Sequence, residues 1–293
     1  MAKSDRLPES LEGFERRLAA LYAAAQKDFD RELTRPTLSA YKETEVYKSR
    51  KRIDGMIQKL NNQAASWAKD AIDKAYRSQR AETRAQAEIL GFRPKKKHTK
   101  ATLLAAIRRT YSYLERANAS MKRTADNYYG ALRYASNQLA RIQEFDDEER
   151  AAFLDETASI AAKAVAEGWS RVRLSNLLES ALRLQIEDGD YVIINGRNYN
   201  IESYAEMVAR TEIRKAQTEA AKETCAEYGC DLVEWSIHAN PCPECAELEG
   251  QVFSLSGQDV EFPQLSADDE PPLHPNCGHS LLATSREAME ARR

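Results

Sequence analysis

The sequence predicts a mainly α-helical chain, with an elongated N-terminal helical bundle followed by a small α+β domain. Three observations carry that reading. The first 185 residues hold only five glycines and three prolines, and their apolar residues recur at helical spacing. Beyond residue 240 stand six of the nine prolines, and the periodicity is lost. Within that irregular stretch lie two short ligand-type pairs, Cys242/Cys245 and His274/Cys277.

The helices follow from their apolar stripes. Leu11, Phe14, Leu18, Leu21, Ala25 and Phe29 alternate three- and four-residue steps along one face, and Pro36 ends that element. A longer stripe runs Ile53, Ile57, Leu60, Ala64, Trp67, Ala71 and Ala75, and it closes at Gly91-Phe92-Arg93-Pro94. There glycine supplies a left-handed C-terminal cap and proline forbids continuation. Thr99 is the expected N-cap of a third stripe, Ile107, Tyr111, Leu114, Met121, Tyr128, Leu132, Ala135, Leu139 and Ile142. Two helices of such length would each span about 60–75 Å, hence the expectation of an elongated antiparallel bundle. Shorter helices are expected over 147–167 and 171–185.

The character changes at Asp188, which sets expected domains of 1–187 and 188–293. Tyr191 to Ile194, the Asn195-Gly196 pair, and Arg197 to Ile201 read as a hairpin with a type I′ turn. One more amphipathic helix, about 203–228, should end at Gly229. The stretch after it offers little apolar periodicity, so another source of order is expected.

Bulk charge excludes little, because 43 basic residues face 46 acidic ones. Its distribution says more. Residues 93–142 carry twelve Lys/Arg against Glu115 and Asp126, whereas 226–293 carry thirteen acids against three arginines. The basic stretch reads either as a phosphate-contacting surface or as a solvated helix face, and the solvated face is the favoured reading. No 18-residue apolar stretch and no apolar N-terminal run occur, so neither a membrane span nor a signal peptide is expected. In the reducing cytoplasm that this implies, five cysteines suit metal ligation or packing better than disulfides.

Cys242-Pro243-Glu244-Cys245 is a C-x2-C pair, and His274-Pro275-Asn276-Cys277 is an H-x2-C pair 28 residues further on. Structural zinc takes four N/S ligands in a tetrahedron, and each short turn presents two on one side. His279 competes with His274 for the fourth position, because alternate residues of an extended segment point the same way. Cys242, Cys245, His274, Cys277 and His279 are therefore the candidate ligands of a structural Zn2+ that staples the C-terminal domain. Four protein ligands would leave no open coordination position, which argues against a catalytic metal. A zinc deaminase would need an upstream H-x-E, which neither His238 nor His98 provides. A thiol oxidoreductase would need a helix after the first cysteine, yet Gly250 follows Cys245 by only five residues. Cys225 reads as core and Cys230 as core or a further ligand. His98 reads as solvated, while His238, near the first cysteine pair, has a hydrogen bond to a ligand only as its less favoured reading.

With these residues in view, the stretch from Tyr191 to about Leu282 resembles the phage minor capsid protein 2 family, itself similar to Mu-F-type head morphogenesis proteins. The resemblance rests on ordered pieces. These are Tyr199 to Tyr204, Met207-Val208-Ala209-Arg210-Thr211-Glu212, Gly229 to Val233, Ser236-Ile237-His238 and Cys242 to Cys245. Glu249 to Gly257 and Pro271 to His279 complete the series. The family pattern has a basic residue between the last Cys and His, where Gly278 stands here. The resemblance implies a non-enzymatic virion protein of a tailed bacteriophage, formed in the host cytoplasm. It implies low copy number, association with the portal or other capsid proteins, and a part in head assembly or genome delivery. Phage DNA would be a further partner through residues 93–142, and oligomerisation within the virion is compatible with the pattern. The alternative is a zinc-dependent nucleic-acid-binding protein or enzyme.

Overall fold

The computed structural model describes residues 9–36, 42–96, 98–141, 192–194, 197–275 and 277–291. The helices expected over 147–167 and 171–185, and the Asn195-Gly196 turn, lie outside the described residues. Three long helices come first: α1 (Glu9–Leu33), α2 (Glu43–Ile89) and α3 (Ala101–Arg141). At 1.5 Å per residue, the 47 residues of α2 extend about 70 Å and the 41 of α3 about 60 Å. The strands β1 (Val192–Ile194) and β2 (Arg197–Tyr199) pair antiparallel, as the hairpin reading requires. Then come α4 (Ile201–Tyr228), β3 (Leu232–Trp235), α5 (Pro243–Ala246), β4 (Val252–Ser254), β5 (Leu281–Thr284) and α6 (Arg286–Glu290). The protein is thus mainly helical, with a small antiparallel sheet near its C-terminal end.

The helix ends follow local chemistry. At the end of α2, Gly91 adopts φ +86°, and the Phe92 N–H donates to the Ala87 carbonyl at 2.9 Å. At the end of α4, Gly229 adopts φ +73°, and the Cys230 N–H donates to Cys225 at 2.9 Å. Both are Schellman closures that satisfy otherwise orphaned carbonyls. The start of α3 falls two residues beyond the expected Thr99 cap. The first helical bond there runs from the Leu104 N–H to the Lys100 carbonyl at 3.0 Å, so the helix starts after Lys100 and not after Thr99.

Two compact units divide the chain, and α2 and α3 contribute residues to both. One unit comprises Leu21–Asn62 and Glu115–Tyr204. Its interior gathers Tyr22, Phe29, Leu33, Ile53, Ile57 and Leu60 with Met121, Tyr129 and Leu132, all buried. Several polar groups inside it are paired: Tyr22 donates to Asn118 at 2.8 Å, and Asn118 donates to Asn61 at 2.7 Å. Glu32 accepts from Ser49 and from Arg52, each at 2.7 Å. Tyr128 and Tyr129 are buried, so neither offers a face on which a base could stack.

The other unit comprises Met1–Ala20, Gln63–Leu114 and Ala205–Arg293. Here α4 is fastened by charge as well as by packing. Arg109 donates to Glu212 at 2.8 Å and to Glu219 at 2.6 Å, and Arg80 donates to Glu227 at 2.6 Å. Part of the basic stretch is therefore consumed internally, a use that neither a phosphate surface nor a solvated face describes. The sheet has the order β4-β3-β5, with register Val233↔Phe253, Val233↔Ala283 and Trp235↔Leu281. Those five side chains form one apolar cluster with Ala221 and Cys225 of α4, and Leu90 and Phe92 pack against it. The expectation that this stretch draws its order from something other than apolar packing is corrected by that core. Its members come from elements far apart in sequence, so local periodicity did not reveal them.

Two substitutions test this account. Glu212 is only 2% exposed, so Arg109→Met should lower stability by about 2–3 kcal/mol, since a buried carboxylate is left short of its partner. A urea midpoint unchanged from wild type would contradict the role given to the pair. Gly229→Ala should lower stability by about 1 kcal/mol through its left-handed backbone, the nearby Lys95 side chain being free to swing away.

Candidate metal centre

The register of the sheet decides what meets. Antiparallel pairing of Glu234 with Val252 and of Trp235 with Leu281 puts the end of β3 beside the starts of β4 and β5. The segments that leave or enter the sheet at that end carry His238, the Cys242–Cys245 turn, Glu249 and His279. The chain is held there by main-chain bonds, including Ser236 N–H to the Ser280 carbonyl at 3.0 Å and Gly250 N–H to Trp235 at 3.1 Å.

Each cysteine–histidine pair is shaped by its own turn. Cys242 is the N-cap of α5, with Pro243 at the first helical position, and its sulfur accepts from the Cys245 N–H at 3.4 Å. That bond holds the Cys242 thiol below its ordinary range, against the opposing effect of burial. Burial pushes the Cys245 thiol well above its ordinary range, and the sulfurs of Cys242 and Cys277 add to that. His274 Nδ1 lies 2.9 Å from the Pro275 carbonyl, and this contact raises the imidazole pKa despite desolvation. A carbonyl only accepts, so Nδ1 bears the hydrogen and Nε2 offers its lone pair to the sulfurs.

All five predicted residues come together. His274 Nε2 lies 3.1 Å from Cys242 Sγ and 3.4 Å from Cys245 Sγ. Cys245 Sγ lies 3.7 Å from Cys277 Sγ, which lies 3.5 Å from His279 Nδ1. Two triads result, Cys242–Cys245–His274 and Cys245–Cys277–His279, each with donor atoms within 4.8 Å of one another. Cys245 belongs to both. In a tetrahedral zinc site with bonds of about 2.0–2.3 Å, neighbouring donors stand about 3.5–3.8 Å apart. The sulfur and nitrogen spacings are close to that, so the donor set could hold a metal ion.

The surroundings are protein-like, not solvent-like. Cys245, Cys277 and His279 are buried, while Cys242 and His274 are partly exposed. Trp235 is fully buried beside His279, its ring centroid 5.3 Å away, and its indole N–H donates to the Asp269 carbonyl at 2.9 Å. Cys225 and Cys230 are buried in the same apolar cluster. Both stand outside the two triads, in keeping with the core reading of Cys225 and with core packing for Cys230. The His98 side chain is 30% exposed and approaches Glu223 at 3.4 Å. His238 lies edge-on to His279, with ring centroids 4.2 Å apart.

One residue escaped the sequence reading. Glu249 Oε1 accepts from His279 Nε2 at 2.9 Å and from the His238 backbone N–H at 2.8 Å. Desolvation pushes this carboxyl up, but those two hydrogen bonds outweigh it and hold the group below the usual carboxylate range. Glu249 stands in an acid-rich run with Glu244 and Glu247, where nothing in the pattern singles it out.

The family model of phage minor capsid protein 2 matches residues 187–284. The match covers about a third of the chain and contains every residue of both triads. Similarity to the phage minor capsid protein 2 family supports a structural capsid role and a place in the virion. Neither the curated proteins nor the solved structures give a match. Among the described residues, no helix is long and apolar enough to cross a membrane.

Because Trp235 belongs to the apolar core, its contribution should survive removal of any metal. Trp235→Ala should lower stability by about 3–5 kcal/mol in denaturant titrations run with a chelator present. A loss seen only without chelator would mean that the residue acts through the metal centre alone.

Proposed function

We propose that this chain is a structural, non-enzymatic minor capsid protein of a tailed bacteriophage, with a C-terminal domain stapled by one structural zinc ion. The observation that carries the reading is the coincidence of two independent features. The segment matching phage minor capsid protein 2 is the segment in which three thiols and two imidazoles converge. Four protein donors would complete a tetrahedron and leave no position for substrate, which suits a staple and not a catalyst. Zinc is the ion best suited to a set of thiolates and imidazole.

Residues 1–187 are then the helical region, and residues 188–293 the metal-bearing domain. The protein assembles in the host cytoplasm and enters the virion beside the portal or another capsid component, where it serves head assembly or genome delivery. Cationic side chains of the 93–142 stretch that are not committed to internal ion pairs would supply any contact to phage DNA.

Elemental analysis of protein purified without chelator should give about one zinc per chain, and Cys242→Ser should lower that below about 0.2. In the same variant, amide exchange should rise across residues 236–280 and stay unchanged in α1. Metal-free wild-type protein that fails to take up added zinc would overturn the staple. The capsid role is tested separately, by mass spectrometry of purified virions of the phage that encodes the chain. The protein should be present at low copy. Its absence from virions, with normal titre after deletion of its gene, would overturn the role.

A further inference from the structure

We propose that Glu249 is the positioning residue of the metal centre, holding His279 so that its Nδ1 serves as a ligand. This inference rests on the zinc reading above. Glu249 lies four residues after Cys245, in the turn that leads to β4, and Gly250 follows it at φ +70°. The turn is pinned by Gly250 N–H to the Trp235 carbonyl at 3.1 Å and by Trp235 N–H to the Gln251 carbonyl at 3.0 Å. It brings the carboxylate to His279 Nε2 at 2.9 Å, with the Glu249 side chain 13% exposed and that of His279 5% exposed.

The consequence is a matter of tautomers. An ionised carboxylate only accepts, so the imidazole hydrogen sits on Nε2 and the lone pair on Nδ1. Nδ1 is the atom that faces the cluster, 3.5 Å from Cys277 Sγ and within the triad shared with Cys245. A carboxylate behind a ligating imidazole also raises its basicity and fixes its plane. Trp235 at 5.3 Å and His238 at 4.2 Å crowd the same ring, and the second contact of Glu249, to the His238 N–H, locks the carboxylate in turn.

The test uses the full-length protein with zinc itself as the probe. Competition titration against a chromophoric chelator should show zinc bound about 10–100-fold more weakly by Glu249→Ala. Glu249→Gln keeps an acceptor oxygen and should recover most of the affinity. The chain holds four histidines, so 15N-labelled imidazoles are resolvable. In zinc-loaded wild type, His279 should show hydrogen on Nε2 and metal on Nδ1, and Glu249→Ala should lose that fixed pattern. Unchanged zinc affinity in Glu249→Ala, or hydrogen on His279 Nδ1 in the loaded wild type, would overturn the inference while leaving the zinc staple standing. Wild-type protein that takes up no zinc would overturn both, and that result is read before any variant is made.

Discussion

The C-terminal part of this protein depends on the register of one short sheet. Pairing of β3 with β4 and β5 is antiparallel, so the exit of β3 and the entrances of β4 and β5 fall at one end. A slip of one residue would turn Val233, Trp235, Phe253, Leu281 and Ala283 out of the core. The same slip would separate His279, two residues before β5, from Glu249, three residues before β4. The apolar core therefore fixes the geometry of the polar cluster, and both are built from the same strands.

That arrangement divides the work of stabilisation. Strands of three or four residues are too short to be stable alone, and the sheet leans on α4 and on Leu90 and Phe92. Ion pairs from Arg80 and Arg109 tie α4 to α2 and α3 within the same unit. The loop containing residues 266–275 is tied back in turn, by Thr218 to the Pro271 carbonyl, Lys222 to Glu270 and the Trp235 indole to the Asp269 carbonyl. A metal held by Cys242, Cys245 and Cys277 with an imidazole would link the α5 turn to the segment that enters β5. Such a link would supply order and leave no open coordination position, in keeping with the proposed structural role.

Much of this was legible in the sequence, for identifiable reasons. Long helices repeat their apolar spacing many times, so Ile53, Ile57, Leu60, Ala64, Trp67, Ala71 and Ala75 announced α2, and all seven are buried. Gly91 and Gly229 announced helix ends because only a left-handed residue closes a Schellman turn cheaply. Four donor residues were legible because Cys and His at x2 spacing have few other uses, and His279 because it stands two residues from Cys277 on an extended segment. The three-stranded sheet was not, since three or four residues give period-two alternation no room to register. Arg109 looked like one more cation on a basic helix, and its partners Glu212 and Glu219 lie about a hundred residues away. Glu249 was hidden for the same reason, its role being conferred by a ring 30 residues further on.

In the proposed site, three thiolates and one imidazole would hold a single zinc ion in the C-terminal domain. Zinc K-edge absorption spectroscopy of the purified full-length protein tests it most directly. The expected shell around zinc is three sulfurs at about 2.3 Å and one nitrogen at about 2.0–2.1 Å. A shell of oxygen and nitrogen alone, or protein that carries no zinc when purified without chelator, would contradict it.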